Sequence, residues 1–220
     1  MDRFESAYYD LISEKLYSAI IGDTVDGLGY RNQIVEGAIR PLYDGARIVG
    51  RAATMLTVDV HSMPSEPLKL ELDLLDGLKQ GEVVVCACNG STRAAIWGEL
   101  LSTCAVARGA RGAVIDGMTR DSWGTNAMQF PVFAKGYSPA TSIGRMEIVA
   151  IRVPVRVGGV LIEDGDLIFA DTDGIVVVPQ AIEEQAIAKA IENVSGENRV
   201  RDALASGASI RAVFKEFGIL

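Results

Sequence analysis

The sequence predicts a mixed α/β fold in which strand–helix–strand units are followed by consecutive strands and then by C-terminal helices. Three observations carry that prediction. Apolar β-branched runs such as Val83-Val84-Val85 alternate with segments of helical periodicity through the first half. Beyond Met146, short apolar runs follow one another with only turn clusters between them. Glycine, 23 of the 220 residues, punctuates the junctions.

The elements follow in order. Phe4 to Ile21 reads as a helix because Tyr8, Leu11, Ile12, Leu16 and Ile20 recur near helical spacing, and Thr24 to Tyr30 reads as a short second one closing at Gly29. Arg47 to Val60 alternates and is β-branched, as a strand requires. Pro67 to Lys79 is helical and closes at Gln80-Gly81 before the strand Glu82 to Cys88. A helix is predicted over Ala94 to Arg108, then strands over Gly112 to Asp116 and Pro131 to Ala134, with Asp121–Phe130 and Gly136–Gly144 as loops. Met146 to Val157, Leu167 to Ala170 and Gly174 to Val178 read as strands, punctuated by Gly158-Gly159 and Asp164-Gly165-Asp166. Asp171-Thr172-Asp173-Gly174 turns the last two into a hairpin; it lacks the terminal glutamate of a calcium loop. Pro179 opens a helix to about Val194, Gly196 interrupts it, and helix resumes from Glu197 to Ala205. Ser209 caps a last helix with Ile210, Val213, Phe214 and Phe217 on one face. With no repeat and no linker, residues 1–220 are expected to form one domain.

Composition narrows the function classes. A formal net charge of −8 with no basic block argues against nucleic-acid binding. No run has the length of a membrane span, and Met1-Asp2-Arg3-Phe4-Glu5 lacks a secretory signal's apolar segment, so a cytoplasmic protein that binds no membrane is expected. Cys86 and Cys88 alternate along one strand and read as core residues, since His61 is the only histidine and zinc would lack ligands.

The chemistry concentrates in two segments. Val114-Ile115-Asp116-Gly117-Met118-Thr119 ends a strand and turns directly into Arg120-Asp121. Gly98-Glu99-Leu100-Leu101 lies upstream, with twenty residues between Glu99 and Arg120, room for one helix and a return strand. Arginine forks onto a carboxylate, aspartate holds a hard cation, and the free amides of a helix start bind an anion. Lys135, after the strand Pro131 to Ala134, reads as a solvated strand-end lysine, with a Schiff-base role as its alternative.

At these residues the chain resembles the RraA-like family, which includes 4-hydroxy-4-methyl-2-oxoglutarate aldolases that also decarboxylate oxaloacetate. Trp97-Gly98-Glu99-Leu100-Leu101, Ala107 through Gly117, Arg120-Asp121, Phe130 through Ala134, Asp164-Gly165-Asp166, Asp173 through Pro179 and Val213 through Gly218 carry the resemblance over nearly the whole chain. It implies a swivelling β/β/α domain assembled as a homotrimer or a dimer of trimers, with sites at subunit interfaces. It further implies a small 2-oxo acid substrate and a divalent cation, Mg²⁺ or Mn²⁺, at Asp121. Arg120 and the amides of Gly98, Glu99, Leu100 and Leu101 then hold the substrate carboxylate, and Glu99 manages protons. Glu197 matches an acid that a neighbouring subunit adds to the metal's water shell. Two departures stand out: Glu99 replaces the aspartate of the best-studied aldolases, and Gly124 stands where some of them carry another acid. The family's non-catalytic regulators, which bind a ribonuclease or helicase, lack the full set and form the alternative reading.

Overall fold

A computed structural model describes residues 3–218; Met1 and Asp2, at the start of the opening segment read above, lie outside the described residues. In chain order the elements are α1 (Arg3–Lys15), α2 (Ser18–Gly27), β1 (Arg40–Pro41), β2 (Ile48–Asp59), α3 (Lys69–Asp76), β3 (Glu82–Ala87), β4 (Ala95–Trp97), α4 (Glu99–Ala107), β5 (Gly112–Thr119), α5 (Ser122–Ala127) and β6 (Val132–Tyr137). The second half adds β7 (Met146–Ile151), β8 (Val155–Val157), β9 (Val160–Ile162), β10 (Leu167–Ala170), β11 (Ile175–Val178), α6 (Glu183–Ala205) and α7 (Ile210–Phe217).

The strands build one nine-stranded sheet in the order β1-β6-β5-β3-β2-β10-β11, with β4 beside the end of β5 and β7 beside the second half of β2. Its centre, β2-β3-β5-β6, is parallel, and these strands are apolar on both faces because both are covered. Side-chain alternation sorts them. Ala53, Met55, Val84, Cys86, Ala113 and Ile115 point to the layer holding α3 and α4. Ala52, Val83, Val85 and Val114 point to the opposite face, where the β8–β9 hairpin packs with Val155, Val157, Val160 and Ile162. Further along, Phe169, Val176 and Val178 meet Ile12, Ile21 and Ala186 from α1, α2 and α6. The layers are therefore β-hairpin, sheet and helices, the expected β/β/α order with helices closing the chain.

Several boundaries differ from those expected, each for a tertiary reason. The first helix breaks before Ser18, because the buried Asp171 carboxylate accepts the Ser18 amide at 2.8 Å and its hydroxyl at 2.6 Å. What read as a second helix from Thr24 is the end of α2. Ala95–Trp97 is strand rather than helix, since Ala95 and Trp97 pair with Met118 and Thr119 of β5. The run Met146 to Val157 breaks at Arg152, whose φ is 57°. Its guanidinium there binds Glu82 at 2.7 Å and Asp164 at 3.3 Å. Gly196 does not interrupt α6: it is buried inside a continuous helix, and packing outweighs its weak propensity. Ser209 stands at the start of α7 but makes no capping bond there. Asp171-Thr172-Asp173-Gly174 turns β10 into β11, closed by the Asp171 amide on the Gly174 carbonyl at 3.0 Å. Cys86 and Cys88 sit with sulfurs 3.6 Å apart in the core.

Candidate functional site

The parallel register of β4 and β5 is what assembles the site. Trp97 lies opposite Thr119, so the residues that follow each strand, Gly98 and Arg120, emerge side by side. The Arg120 amide and the Thr119 hydroxyl both donate to the Trp97 carbonyl, at 2.9 and 3.1 Å. The buried Trp97 indole donates to Ser102 Oγ at 2.9 Å, and that hydroxyl donates to the Gly98 carbonyl at 2.9 Å. The entrance to α4 is thus tied to the end of β5 by a network of four hydrogen bonds, and its first amides lack carbonyl partners within the helix.

Gly98 allows the close approach. A Cβ at this buried position would lie 3.0 Å from both Arg120 Cγ and Asp121 Oδ2. Asp121 starts α5 with φ 53° and ψ 37°, a left-handed conformation that aspartate tolerates better than most side chains. Its carboxylate does not cap α5 but accepts from Arg120 Nε at 3.1 Å. Both side chains are over a third exposed, so this pair is held by about 1 kcal/mol or less and can open to a ligand. Glu99 leans across α5: its carboxylate accepts the Thr103 hydroxyl at 3.0 Å, and a Cβ on Gly124 would sit 2.6 Å from its Cγ. The absent side chain at Gly124 is the space that the longer Glu99 fills.

Gly98, Arg120 and Asp121 open onto a cleft of about 210 Å³, whose lining does not include Glu99. Its walls include Leu68, Ile96, Trp97, Leu101 and Ile143, with Gly98, Arg120, Asp121, Thr141 and Ser142 supplying polar groups. Leu100, 77% exposed, lines it, and Trp123, 80% exposed, lines a neighbouring groove that shares Arg120 and Asp121. Glu71 also lines the cleft, and was not singled out in the sequence. Only 4% exposed, Glu71 shares the buried face of α3 with Leu74 and Leu75. Burial pushes its carboxyl up to about pH 7. An acid three and four residues before two core leucines was the signal available.

The remaining candidates lie elsewhere. Lys135 is not a free strand-end amine: it pairs with the buried Asp116 at 2.5 Å, because the register slips between Ile115 and Met118 and turns Asp116 toward β6. It is absent from the cleft lining, which weakens the Schiff-base alternative. Glu197, on α6, accepts the hydroxyl of Tyr17, the residue before α2, and is not brought to the cleft of its own chain. His61 is exposed and contacts Arg93 at 3.3 Å. No helix among the described residues is long and apolar enough to cross a membrane.

Fold and site together define a β/β/α protein in which the start of a helix packs against an Arg–Asp pair beside a partly apolar cleft. Residues 18–177 match the profile of the RraA-like family, described as Aldolase/RraA, and the chain belongs to that family. Over 170 residues it is 33% identical to the "Putative 4-hydroxy-4-methyl-2-oxoglutarate aldolase" of Halalkalibacterium halodurans, covering 77% of this chain and 76% of that protein. Protein DlpA of Legionella pneumophila matches at 28% identity over 91% of this chain but 32% of its own length, so the chain spans about a third of that relative. The crystal structure of Streptomyces coelicolor RraAS2, an unusual member of the RNase ES inhibitor RraA protein family, superposes with a TM-score of 0.79. It is 27% identical over 91% of this chain and 97% of that one.

Proposed function

We propose that this protein is a divalent-metal-dependent carbon–carbon lyase that releases pyruvate from 2-oxo acids of the 4-hydroxy-4-methyl-2-oxoglutarate type and from oxaloacetate. The observation that carries this reading is the seating of Arg120 and Asp121 against Gly98 at the amide-rich start of α4. The names of relatives supply the substrate type.

The donor set suits a hydrated hard cation. No cluster of three or more His, Cys, Asp or Glu side chains occurs among the described residues, so a fully ligated zinc site is a poor fit. Mg²⁺ or Mn²⁺ held by one carboxylate and its own waters fits Asp121, with Glu99 beside it and Glu197 of the partner subunit completing the water shell in a homotrimer or dimer of trimers. Such a cation supplies Lewis-acid polarisation of the 2-oxo oxygen.

The chain's own residues do the rest. Arg120 forks onto the substrate's C1 carboxylate, and the amides of Gly98 through Leu101 complete the anion site. Losing the arginine costs about 2–4 kcal/mol of barrier. Glu99, through water, takes the proton of the 4-hydroxyl as the C3–C4 bond breaks, and the bonding pair passes to the pyruvate fragment as its enolate. Protonation at C3 then gives pyruvate beside the carbonyl product. With oxaloacetate, CO₂ leaves from C4 and the same enolate is protonated.

The test is pyruvate release from both substrates with Mg²⁺, with EDTA, and with Asp121→Ala as control for decarboxylation by free metal. Release that needs both metal and Asp121 supports the lyase; release no faster than the variant's overturns it. The RraA-type likeness favours a second reading, a non-catalytic regulator of a ribonuclease or helicase. That reading predicts tight binding to such a partner with no turnover.

A further inference from the structure

Glu71 is a buried acid that its own chain leaves unpartnered and open to the cleft. Among the described residues it makes no hydrogen bond or ion pair, whereas other buried acids such as Asp171, Asp166 and Glu183 are each engaged. Nothing in the packing of α3 requires an acid there, since its neighbours on the buried face are Leu74 and Leu75. Its carboxyl oxygens are not enclosed by protein: the little surface that Glu71 keeps opens onto the cleft and onto a narrow groove beside it.

The cleft sets where this carboxyl stands relative to a ligand. Gly98, Arg120 and Asp121 line the cleft alone, whereas Glu71 and Ser142 line both cleft and groove, so the Arg–Asp pair and the acid occupy different ends. At about 210 Å³ the cleft is smaller than the roughly 300–1,000 Å³ of ordinary ligand pockets, and one small molecule reaches from end to end. With its C1 carboxylate on Arg120, a 2-oxo acid therefore extends C3 and C4 toward Glu71. The charged groups of the surrounding elements are few. Arg120 and Asp121 face Glu71 along the cleft and Glu147 of β7 along the groove, while the Cys86 thiol of β3 has its ionisation suppressed by burial. Glu99 of α4 is turned to Thr103, Asp59 of β2 bonds Ser91, and Lys69 pairs with Asp73 on the outer side of α3. Burial brings the Glu71 carboxyl up to about 7, where a group both gives and takes a proton readily.

The lyase reading needs a proton delivered to C3, and Glu99, which serves the 4-hydroxyl through water, does not line the cleft. We infer that Glu71 is a catalytic residue: the acid that protonates C3 of the enolate and, in reverse, the base that takes a proton from the methyl group of pyruvate. The inference rests on the lyase reading above and holds for every 2-oxo acid that yields this enolate, dicarboxylic ones included. In its acid form Glu71 carries no charge to repel a distal carboxylate. The step balances without a co-reactant. The enolate's electron pair takes the carboxyl proton, a C3–H bond forms as the Glu71 O–H bond breaks, and the carboxylate recovers a proton from solvent.

Two reactions of the same site separate this role from a structural one. Exchange of pyruvate methyl protons in D₂O with Mg²⁺ requires the base. Loss of CO₂ from oxaloacetate makes the enolate without one, and a released enolate is protonated by water. Glu71→Gln is expected to slow exchange by about 100-fold or more but CO₂ release, corrected for free metal, by less than about tenfold. Equal losses in both reactions, or exchange retained by the variant, overturn the inference and leave the lyase reading standing. The wild type gives a second readout, whether or not the variant folds. Its exchange rate is expected to rise from about pH 5 and to level off above about 7 as the carboxylate form fills. A rate flat over that range, as when a cation from a neighbouring subunit keeps the carboxyl ionised, overturns the inference as well. If the wild type accelerates neither exchange nor CO₂ release, the lyase reading itself fails and the inference falls with it.

Discussion

Gly98 is the residue on which the geometry of the site turns. Replacing it by alanine inserts a methyl 3.0 Å from Arg120 Cγ and Asp121 Oδ2, so the pair must shift by a few tenths of an ångström. Because displacements approaching 1 Å cost about a hundredfold in rate, Gly98→Ala is expected to lower kcat/KM for pyruvate release by about 10–100-fold. Its melting temperature should stay near wild type; a variant with full activity would contradict the close packing. Glu71 gives a prediction on stability. Its carboxyl has a folded-state value near 7 against an ordinary 4.5, the shift arising from burial. A raised carboxyl binds its proton more tightly in the folded state, so its contribution is present in full below about pH 4.5 and is lost as pH rises toward 7. The loss amounts to about 3 kcal/mol. Glu71→Gln should therefore gain stability relative to wild type between pH 4.5 and 8, read as a widening gap in melting temperature. A gap constant with pH would contradict a buried, unpartnered acid.

At the scale of elements, local pattern marked the strands and most helices, and tertiary contacts set the ends. Val83 through Ala87 was legible because a strand covered on both faces is continuously apolar. β4 was not, since Ala95-Ile96-Trp97 is equally compatible with a helix until the end of β5 offers it a partner. α5 was hidden for a related reason: its six residues, Ser122–Ala127, carry two glycine- and asparagine-type breakers and start from a left-handed Asp121. Arg120 and Asp121 were legible from the end of a predicted strand, Gly98 and Glu99 only from their spacing inside the helix expected over Ala94 to Arg108, and Glu71 lay unremarked in the helix expected over Pro67 to Lys79. The break between α1 and α2 shows how remote such determinants are. Asp171, 153 residues away from Ser18, receives its amide and hydroxyl and also the amide of Asp173 at 3.1 Å. Asp171→Ala leaves buried donors unmatched and is expected to cost about 2 kcal/mol in denaturant unfolding while pyruvate release per folded molecule is unchanged. A loss below about 0.5 kcal/mol, the size of an ordinary surface change, would contradict this role.

For the whole molecule, the surface around the Arg120–Asp121 pair carries the clearest information. Leu100 and Trp123 are 77% and 80% exposed beside Arg120 and Asp121, and Tyr137 adds a further exposed ring. Apolar side chains grouped around a polar site suit a surface covered by another subunit. The proposed homotrimer or dimer of trimers predicts a light-scattering mass of three or six times the chain, lowered by Leu100→Asp together with Trp123→Asp. A monomeric wild type would contradict it. The central claim, however, concerns chemistry that is independent of the substrate's tail. The most direct measurement is proton NMR of pyruvate in D₂O with the protein and Mg²⁺. The account predicts that the methyl signal exchanges for deuterium faster than in the buffer control, and that EDTA, Asp121→Ala or Arg120→Ala each abolish the acceleration. Exchange no faster with the protein than without it would mean that this cleft does not stabilise the pyruvate enolate, and would contradict the lyase assignment.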